Sequence, residues 1–254
     1  MEPKKPMVKP LHTFDLEVLS AYLKHYVSGF TGLAGLEKFS NGQSNPTYKI
    51  LDTSGTSYVL RAKPPGKLLK SAHAVDREFR VMTALAETAV PVPKMLHLSG
   101  DDSPIGAQFL VMGYLSGTVF WDPALPECSK SFRTLAYSAL VETLAALHEV
   151  DPHRVGLENF GRPGNYFGRQ VSRWTHQYRA SETQNRPDMD WTIDWLSQNL
   201  VEDDGQMSIV HGDYRLDNVM FDVHTPKIIA VLDWELSTLG HPFADLAYQC
   251  MGLR

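Results

Sequence analysis

Apolar residues recur at helical spacing in DLEVLSAYLKHYV, where Leu16, Leu19, Leu23 and Val27 fall on one side, and then the period changes. LEKF, TYKILD and SYVLRAK alternate in the manner of short strands. The last two are joined by TSGTS, a turn-forming cluster of the hairpin type. SAHAVDREFRVMTALAET returns to the helical period with Val75, Phe79, Met82 and Leu85 on one face, and Pro91 and Pro93 stop it. KMLHLSG and AQFLVMGYL predict two further strands across the turn DDSPIG. Beyond them the pattern is mainly helical. SFRTLAYSALVETLAALHEV predicts a long helix with a buried stripe of Leu135, Ala139, Leu140, Leu144 and Leu147. A Gly-rich stretch leads into the basic, aromatic helix RQVSRWTHQYRA, and DMDWTIDWLSQNLV predicts another amphipathic helix. The expected class is α+β: a strand-rich lobe over residues 1–112 with one long helix, and a mainly helical lobe over 113–254. The short, glycine-flanked GYLSG marks the boundary.

Composition narrows the choices. A chain of 254 residues with 43% hydrophobic content can build a proper core, and no run approaches the ~18 apolar residues of a membrane span. The formal net charge of −5 offers no broad attraction to nucleic acid or to an anionic membrane, so neither is an expected partner. The N-terminal MEPKKPMVKPLHTF is basic but is followed by no apolar core, which argues against secretion. Cys128 and Cys250 are far apart and form no metal-type pair. They fit a reducing, intracellular setting.

The candidate chemistry is concentrated near the end of the chain. IVHGDYRLDNVMFD and IIAVLDWELSTLGHPFADLAY place His211, Asp213, Asp217, Asn218 and Asp233 between strand-like apolar runs. Buried polar groups are costly unless something satisfies them. The spacing Asp213-x-x-x-x-Asn218 suits phosphoryl transfer from one loop: a carboxylate to take the proton of an attacking hydroxyl, and an amide oxygen to help hold Mg2+ near the phosphates. Asp233, at the end of IIAVLD, is the natural second metal ligand. His211 reads as a structural histidine orienting the loop, because a carboxylate already fills the proton-acceptor role. Asp217 reads as solvated or loop-bracing.

HGDYRLDN followed by VLDWE and HPFADLA resembles the aminoglycoside phosphotransferase and choline kinase family, distant relations of the protein kinases. The likeness is closer still to the kinase-like N-terminal domain of acyl-CoA dehydrogenase family members ten and eleven and its stand-alone bacterial counterparts. SNPTY, YVLRAKPPG, DREFRV, PVPK, QVSRWTHQY and VLDWELSTLGHP carry that likeness from about residue 15 onward. It implies a two-lobed protein-kinase-like fold and an ATP-dependent kinase that uses Mg2+. Asp213 would be the catalytic base, with Asn218 and Asp233 on the metal. Arg61 would be the nucleotide-anchoring basic residue, paired with Glu78, and Lys63 is its fallback on the same strand face. SNGQSN would cover the phosphates, with Gly42 allowing the bend and Ser44 meeting phosphate oxygens. Met112, Gly113, Tyr114 and Leu115 would form the adenine hinge. Asp245 resembles a buried aspartate supporting the catalytic loop, although a plain helix-N-terminal carboxylate is the competing reading.

The resemblance further implies a small anionic acceptor bearing a hydroxyl, a 4-hydroxyacyl-CoA, with an acyl-CoA dehydrogenase as fused domain or partner. The setting would be cytoplasmic in a bacterium and mitochondrial or peroxisomal in a eukaryote. Arg169, Arg173 and Arg215 are the candidate acceptor contacts, alongside His176 and Arg179 on the same basic helix. A solvated face plus core aromatics is the alternative for that helix. Two other functions stay open: a nucleotide-binding module without turnover, and a metal-dependent hydrolase reading HGD and the later aspartates as a two-metal site. DLAYQCMGLR ends inside a predicted helix where the family normally continues, so the second lobe is expected to be incomplete.

Overall fold

A computed structural model of the chain describes residues 15–39, 45–64, 74–100 and 103–251. The first element is helix α1 (Leu16–Tyr26), capped by the Asp15 carboxylate, which accepts hydrogen bonds from the backbone of Glu17 and Val18. Strands β1 (Leu33–Lys38), β2 (Thr47–Asp52) and β3 (Ser57–Ala62) follow, then helix α2 (Val75–Leu85), β4 (Met95–Leu98) and β5 (Phe109–Gly113). β1 begins three residues before the expected LEKF. The strands form one antiparallel sheet in the order β1-β2-β3-β5-β4.

Strand periodicity explains how this sheet serves two cores. On β3 and β5, Tyr58, Leu60, Ala62, Phe109 and Val111 face α1 and pack with Leu19, Leu23 and Val27. Val59, Leu110 and Met112 point the other way, into a core shared with α2 and with the second half of the chain. Arg61 sits two residues beyond Val59 and so emerges on that inner face. The buried stripe of α2 is Val75, Glu78, Met82 and Leu85 together with Val81, whereas the apolar pattern alone predicts Phe79, which is only partly buried. A carboxylate therefore lies on the buried side of this helix and must find a partner.

The second half contains β6 (Thr118–Val119) and the helices α3 (Lys130–His148), α4 (Tyr166–Ser181) and α5 (Pro187–Gln198). Strands β7 (Ser208–Val210), β8 (Val219–Phe221), β9 (Ile228–Val231) and β10 (Thr238–Gly240) follow, and helix α6 (Phe243–Met251) closes the described chain. β6, β8 and β9 form a small antiparallel sheet, and β10 pairs with β7. The buried stripe of α3 is Ala136, Leu140, Leu144 and Leu147. Leu135 is exposed, contrary to the expected stripe, because the buried face is centred one residue later. On α4 and α5 no residue is buried, and Trp174, a core aromatic only in the alternative reading of α4, is exposed together with Trp191 and Trp195. Cys128 precedes α3 and Cys250 lies exposed on α6, both as free thiols. No helix among the described residues is long and apolar enough to cross a membrane.

Candidate active site

The site is assembled from a loop, a hairpin end, a strand and a helix. β7 delivers the chain to His211, Gly212 and Asp213, and a 3-10 turn over Leu216–Asn218 returns it to β8. Gly212 is required here: its φ is +85°, and a Cβ would meet the Leu236 carbonyl oxygen at 2.8 Å. In the β8–β9 register Val219 faces Val231, so Asn218 and Leu232 come together just beyond the ladder. The Leu232 N–H donates to the Asn218 carbonyl at 2.8 Å, and Asp233 follows one residue later. Asp233 itself takes the left-handed conformation, φ 63°, uncommon for a residue with a side chain and often found at functional sites.

Asp213 and Asn218 are in contact. The Asn218 Nδ2 donates to both the Asp213 carboxylate and its carbonyl, each at 2.8 Å, which leaves the amide oxygen on the opposite side of the group. Arg215 places its Nε 3.2 Å from the other Asp213 oxygen and its Nη2 3.0 Å from Asp217, so Asp217 braces the loop through this arginine. Tyr248 of α6 also hydrogen-bonds the Asp213 carboxylate. Burial first, and then that contact, push its hydroxyl above the ordinary phenol range.

His211 holds the loop from within. It is fully buried and packs against the Trp234 ring. Its Nε2 lies 2.8 Å from the Leu232 carbonyl, which can only accept, and its Nδ1 accepts from the Asp213 N–H at 3.2 Å. That pair of bonds defines a neutral ring, and burial depresses its pKa accordingly. Asp245, in the first turn of α6 and fully buried, accepts from the backbone N–H groups of His211 and Gly212 at 2.7 and 2.8 Å. It also meets His148 of α3 at 3.2 Å. The supporting role implied for Asp245 is therefore the one its geometry describes.

From the first sheet, Arg61 reaches out of β3 to Glu78 of α2, with Nε 3.0 Å from one carboxylate oxygen, and to Asp233, with Nη2 2.5 Å from Oδ1. Burial pushes the Glu78 carboxyl up to about 7 against the attraction of Arg61, and Asp233 and Glu235 push the same way. Arg61 is only partly exposed, and although its burial works to lower its pKa, Glu78 and Asp233 hold it above its usual value. Lys63 lies beyond the end of β3 and pairs with Asp76 at 3.4 Å.

Two further residues here lie within SNPTY and VLDWE but have no role assigned from the sequence. Asn45 donates to Glu78 at 3.0 Å and to Glu235 at 3.3 Å, linking the segment before β2 to both carboxylates. Glu78, Asp233 and Glu235 each bring an oxygen to within 4.8 Å of the others. The only advance sign of Glu235 was its place two residues after Asp233 in LDWE. Ser44, with most of SNGQSN, lies outside the described residues. Met112 pairs with Val59 and Met95 in the sheet, and the Tyr114 ring sits under the Lys49 ammonium at 4.3 Å. Of the candidate acceptor arginines, Arg169 donates to the carbonyls of Arg162 and Pro163 and so braces the turn before α4. Arg173 lies against Trp174, and Arg179 bridges α4 to Asp190 of α5.

Hard-oxygen donors beside a loop carboxylate, a buried Arg–Glu pair and a strand-rich lobe over a helical one define a kinase-like phosphotransferase fold. The chain belongs to the phosphotransferase enzyme family, whose model matches residues 35–254. It is 46% identical over 95% of its length to acyl-CoA dehydrogenase family member 11 of Rattus norvegicus, and 45% identical over 98% to family member 10 of Mus musculus. It spans 31% and 23% of those relatives, less than a third of their length. Among solved structures, a Ralstonia eutropha protein described as a candidate aminoglycoside phosphotransferase is 50% identical, with a TM-score of 0.83 over 94% of this chain and 70% of its own. The aminoglycoside phosphotransferase APH(4)-Ia, solved with ADP and hygromycin B, shares the fold at 18% identity, with a TM-score of 0.64 over 91% of this chain and 75% of that one.

Proposed function

We propose that this protein is an ATP-dependent small-molecule kinase that transfers the γ-phosphate to the hydroxyl of a 4-hydroxyacyl-CoA. The observation that carries the reading is the Asp213–Asn218 contact together with the backbone bond that sets Asn218 beside Leu232, next to an Asp233 that pairs with Arg61 and so with Glu78. Asp213 takes the proton of the acceptor hydroxyl as its oxygen forms the new bond to phosphorus, and the bond from phosphorus to the β–γ bridging oxygen of ATP breaks. Asn218 orients the Asp213 carboxylate. Arg61, aligned by Glu78, contacts the nucleotide phosphates, with Ser44 covering them and the Met112–Tyr114 segment meeting the base.

The donor set fits Mg2+. Asp233 and the carboxamide oxygen of Asn218 would hold it, and Glu78 and Glu235 add negative charge nearby. These are hard oxygens in the number that magnesium takes alongside substrate phosphates. When bound, the ion neutralises charge on the phosphate oxygens.

Two features favour an anionic acceptor. Arg215, half-exposed, stands directly beside Asp213, and Arg173 lies on the basic helix α4. Curated relatives that match this chain carry the segment within chains named as acyl-CoA dehydrogenases. Phosphorylation would convert a poor leaving group into a good one for a subsequent elimination. Incubation with γ-labelled ATP, Mg2+ and a panel of 4-hydroxyacyl-CoA, choline and an aminoglycoside tests the reading. Label is expected in the CoA ester. Label in choline or the aminoglycoside instead overturns the acceptor, and nucleotide binding without transfer to any of the three overturns the kinase reading.

A further inference from the structure

We infer that Arg77 is a positioning residue that locks the helix carrying Glu78 to the segment carrying Asp233, so that the nucleotide and metal ligands of the two lobes are set at a fixed separation before any ligand arrives. The inference deepens the kinase reading and rests on it for the identity of the ligand.

Arg77 precedes Glu78 on α2, and its guanidinium has partners different from those of Arg61. Its Nη2 donates to the Phe160 carbonyl at 2.8 Å and to the Ser237 carbonyl at 3.0 Å. Its planar face lies 4.2 Å from the centroid of the Phe160 ring. Ser237 closes the 3-10 turn Trp234–Leu236 that starts from Asp233, so one cation ties the Glu78 helix to the Asp233 turn. Phe160 is buried, and Arg80, one turn further along α2, reaches the same loop through the Gly156 carbonyl at 3.0 Å.

The loop is itself seated without slack. A Cβ at Gly161 would lie 2.6 Å from the Leu239 nitrogen and 2.6 Å from the Thr238 hydroxyl, so the loop backbone rests directly on β10. Arg77 is half-buried and its pKa is depressed by that burial, yet its guanidinium faces carbonyl oxygens and a ring where a carboxylate would be the ordinary partner. A planar five-donor group can satisfy two carbonyls and cover a ring at once. A lysine cannot do all three. Because Glu78 aligns Arg61 and Arg61 contacts Asp233, loosening α2 against the turn would change all three positions together.

The test compares Arg77→Gln, Arg77→Lys and Gly161→Ala with the wild-type chain. Calorimetric titration with ADP in the presence and absence of Mg2+ is the first readout. Arg77→Gln should weaken MgADP about tenfold, the scale of a lost charge-assisted hydrogen bond, while metal-free ADP changes by less than about twofold. Arg77→Lys should recover part of the difference. Gly161→Ala, which touches neither nucleotide nor Glu78, should show the same metal-specific loss. A variant that unfolds more easily but keeps the wild-type ratio of MgADP to ADP affinity overturns the inference.

Hydrogen exchange on the ligand-free chain is the second readout. Arg77→Gln should accelerate exchange in Val75–Leu85 and in 233–237 together. Acceleration in neither or in only one overturns it. A wild-type chain that binds no nucleotide refutes the kinase reading alone, since the exchange experiment still decides whether Arg77 couples the two segments.

Discussion

The roles proposed for Asp213, Asn218 and Asp233 differ, and substitutions should separate them. Replacing Asp213 by Ala removes the proposed proton acceptor but no proposed phosphate or metal ligand. Transfer should fall by about 10²- to 10⁴-fold, with ADP affinity largely kept. Equal turnover in that variant would remove Asp213 from the role. Asp233→Ala should instead abolish the gain in ADP affinity that Mg2+ provides, read by the same titration. Glu78 gives a pH signature. Its folded-state value is about 7 against an ordinary 4.5, so between those limits the folded carboxyl keeps a proton that the unfolded chain has released. Folding is favoured at the acidic end, and this contribution is lost as pH rises from about 4.5 to about 7. Urea midpoints at pH 5 and pH 8 should therefore move in favour of Glu78→Gln relative to wild type at the higher pH, and a shift of the opposite sign contradicts the assignment. At this scale the sequence was readable where chemistry is local. Asp213 and Asn218 lie five positions apart, and their side chains touch. Glu235 was not readable, because its partner Asn45 is 190 residues away and only the folded cleft brings them together.

Among the elements, α6 shows how a helix end positions a loop. Asp245 presents both carboxylate oxygens to two backbone donors of the His211–Gly212 segment and shares one of them with His148. Asparagine offers one oxygen and turns an amide N–H toward a donor. Asp245→Asn should destabilise the fold by about 3 kcal/mol and also lower turnover, because the loop bearing Asp213 loses its fixed seat. Loss of stability with turnover per folded molecule unchanged would separate the two roles. Periodicity located nearly every element, since alternation and the 3.6-residue repeat are written into each segment. What it could not give is which apolar faces are covered. Leu135 fits the α3 repeat as well as Ala136 does, but only Ala136 is buried, in the cluster that also holds Ile209 and Tyr214, whose hydroxyl donates to the Leu140 carbonyl. Likewise, the repeats in α4 and α5 give amphipathic helices correctly but cannot say that Trp174, Trp191 and Trp195 stay in solvent among the described residues.

Over the whole molecule, two cores flank the first sheet, and only one of them is confined to the strand-rich half. Leu19, Leu23, Leu60 and Phe109 pack locally, whereas Val59, Leu110 and Met112 belong to the same buried cluster as Leu140, Ile209, Val231 and Trp234. Pro91 adds a backbone link, accepting a hydrogen bond from Val231 at 2.8 Å. A division at residues 112 and 113 is thus a proposal about function, a nucleotide lobe over an acceptor lobe, and it need not be a division in folding. Removing buried contacts at the shared core should destabilise both halves together. Leu110→Ala, on β5, is expected to cost about 2–5 kcal/mol, and the loss should appear equally in hydrogen exchange of β2 and β3 and in tryptophan fluorescence, whose reporters all lie at or beyond Trp121. Coincident unfolding curves from the two probes, shifted by the same amount, are the expected result. Curves that separate, with the strand-rich half melting first and the tryptophan signal unmoved, would show that the cleft joins two independently stable bodies. The fixed spacing between Glu78 and Asp233 would then depend on the Arg77 joint and the Arg61 bridge.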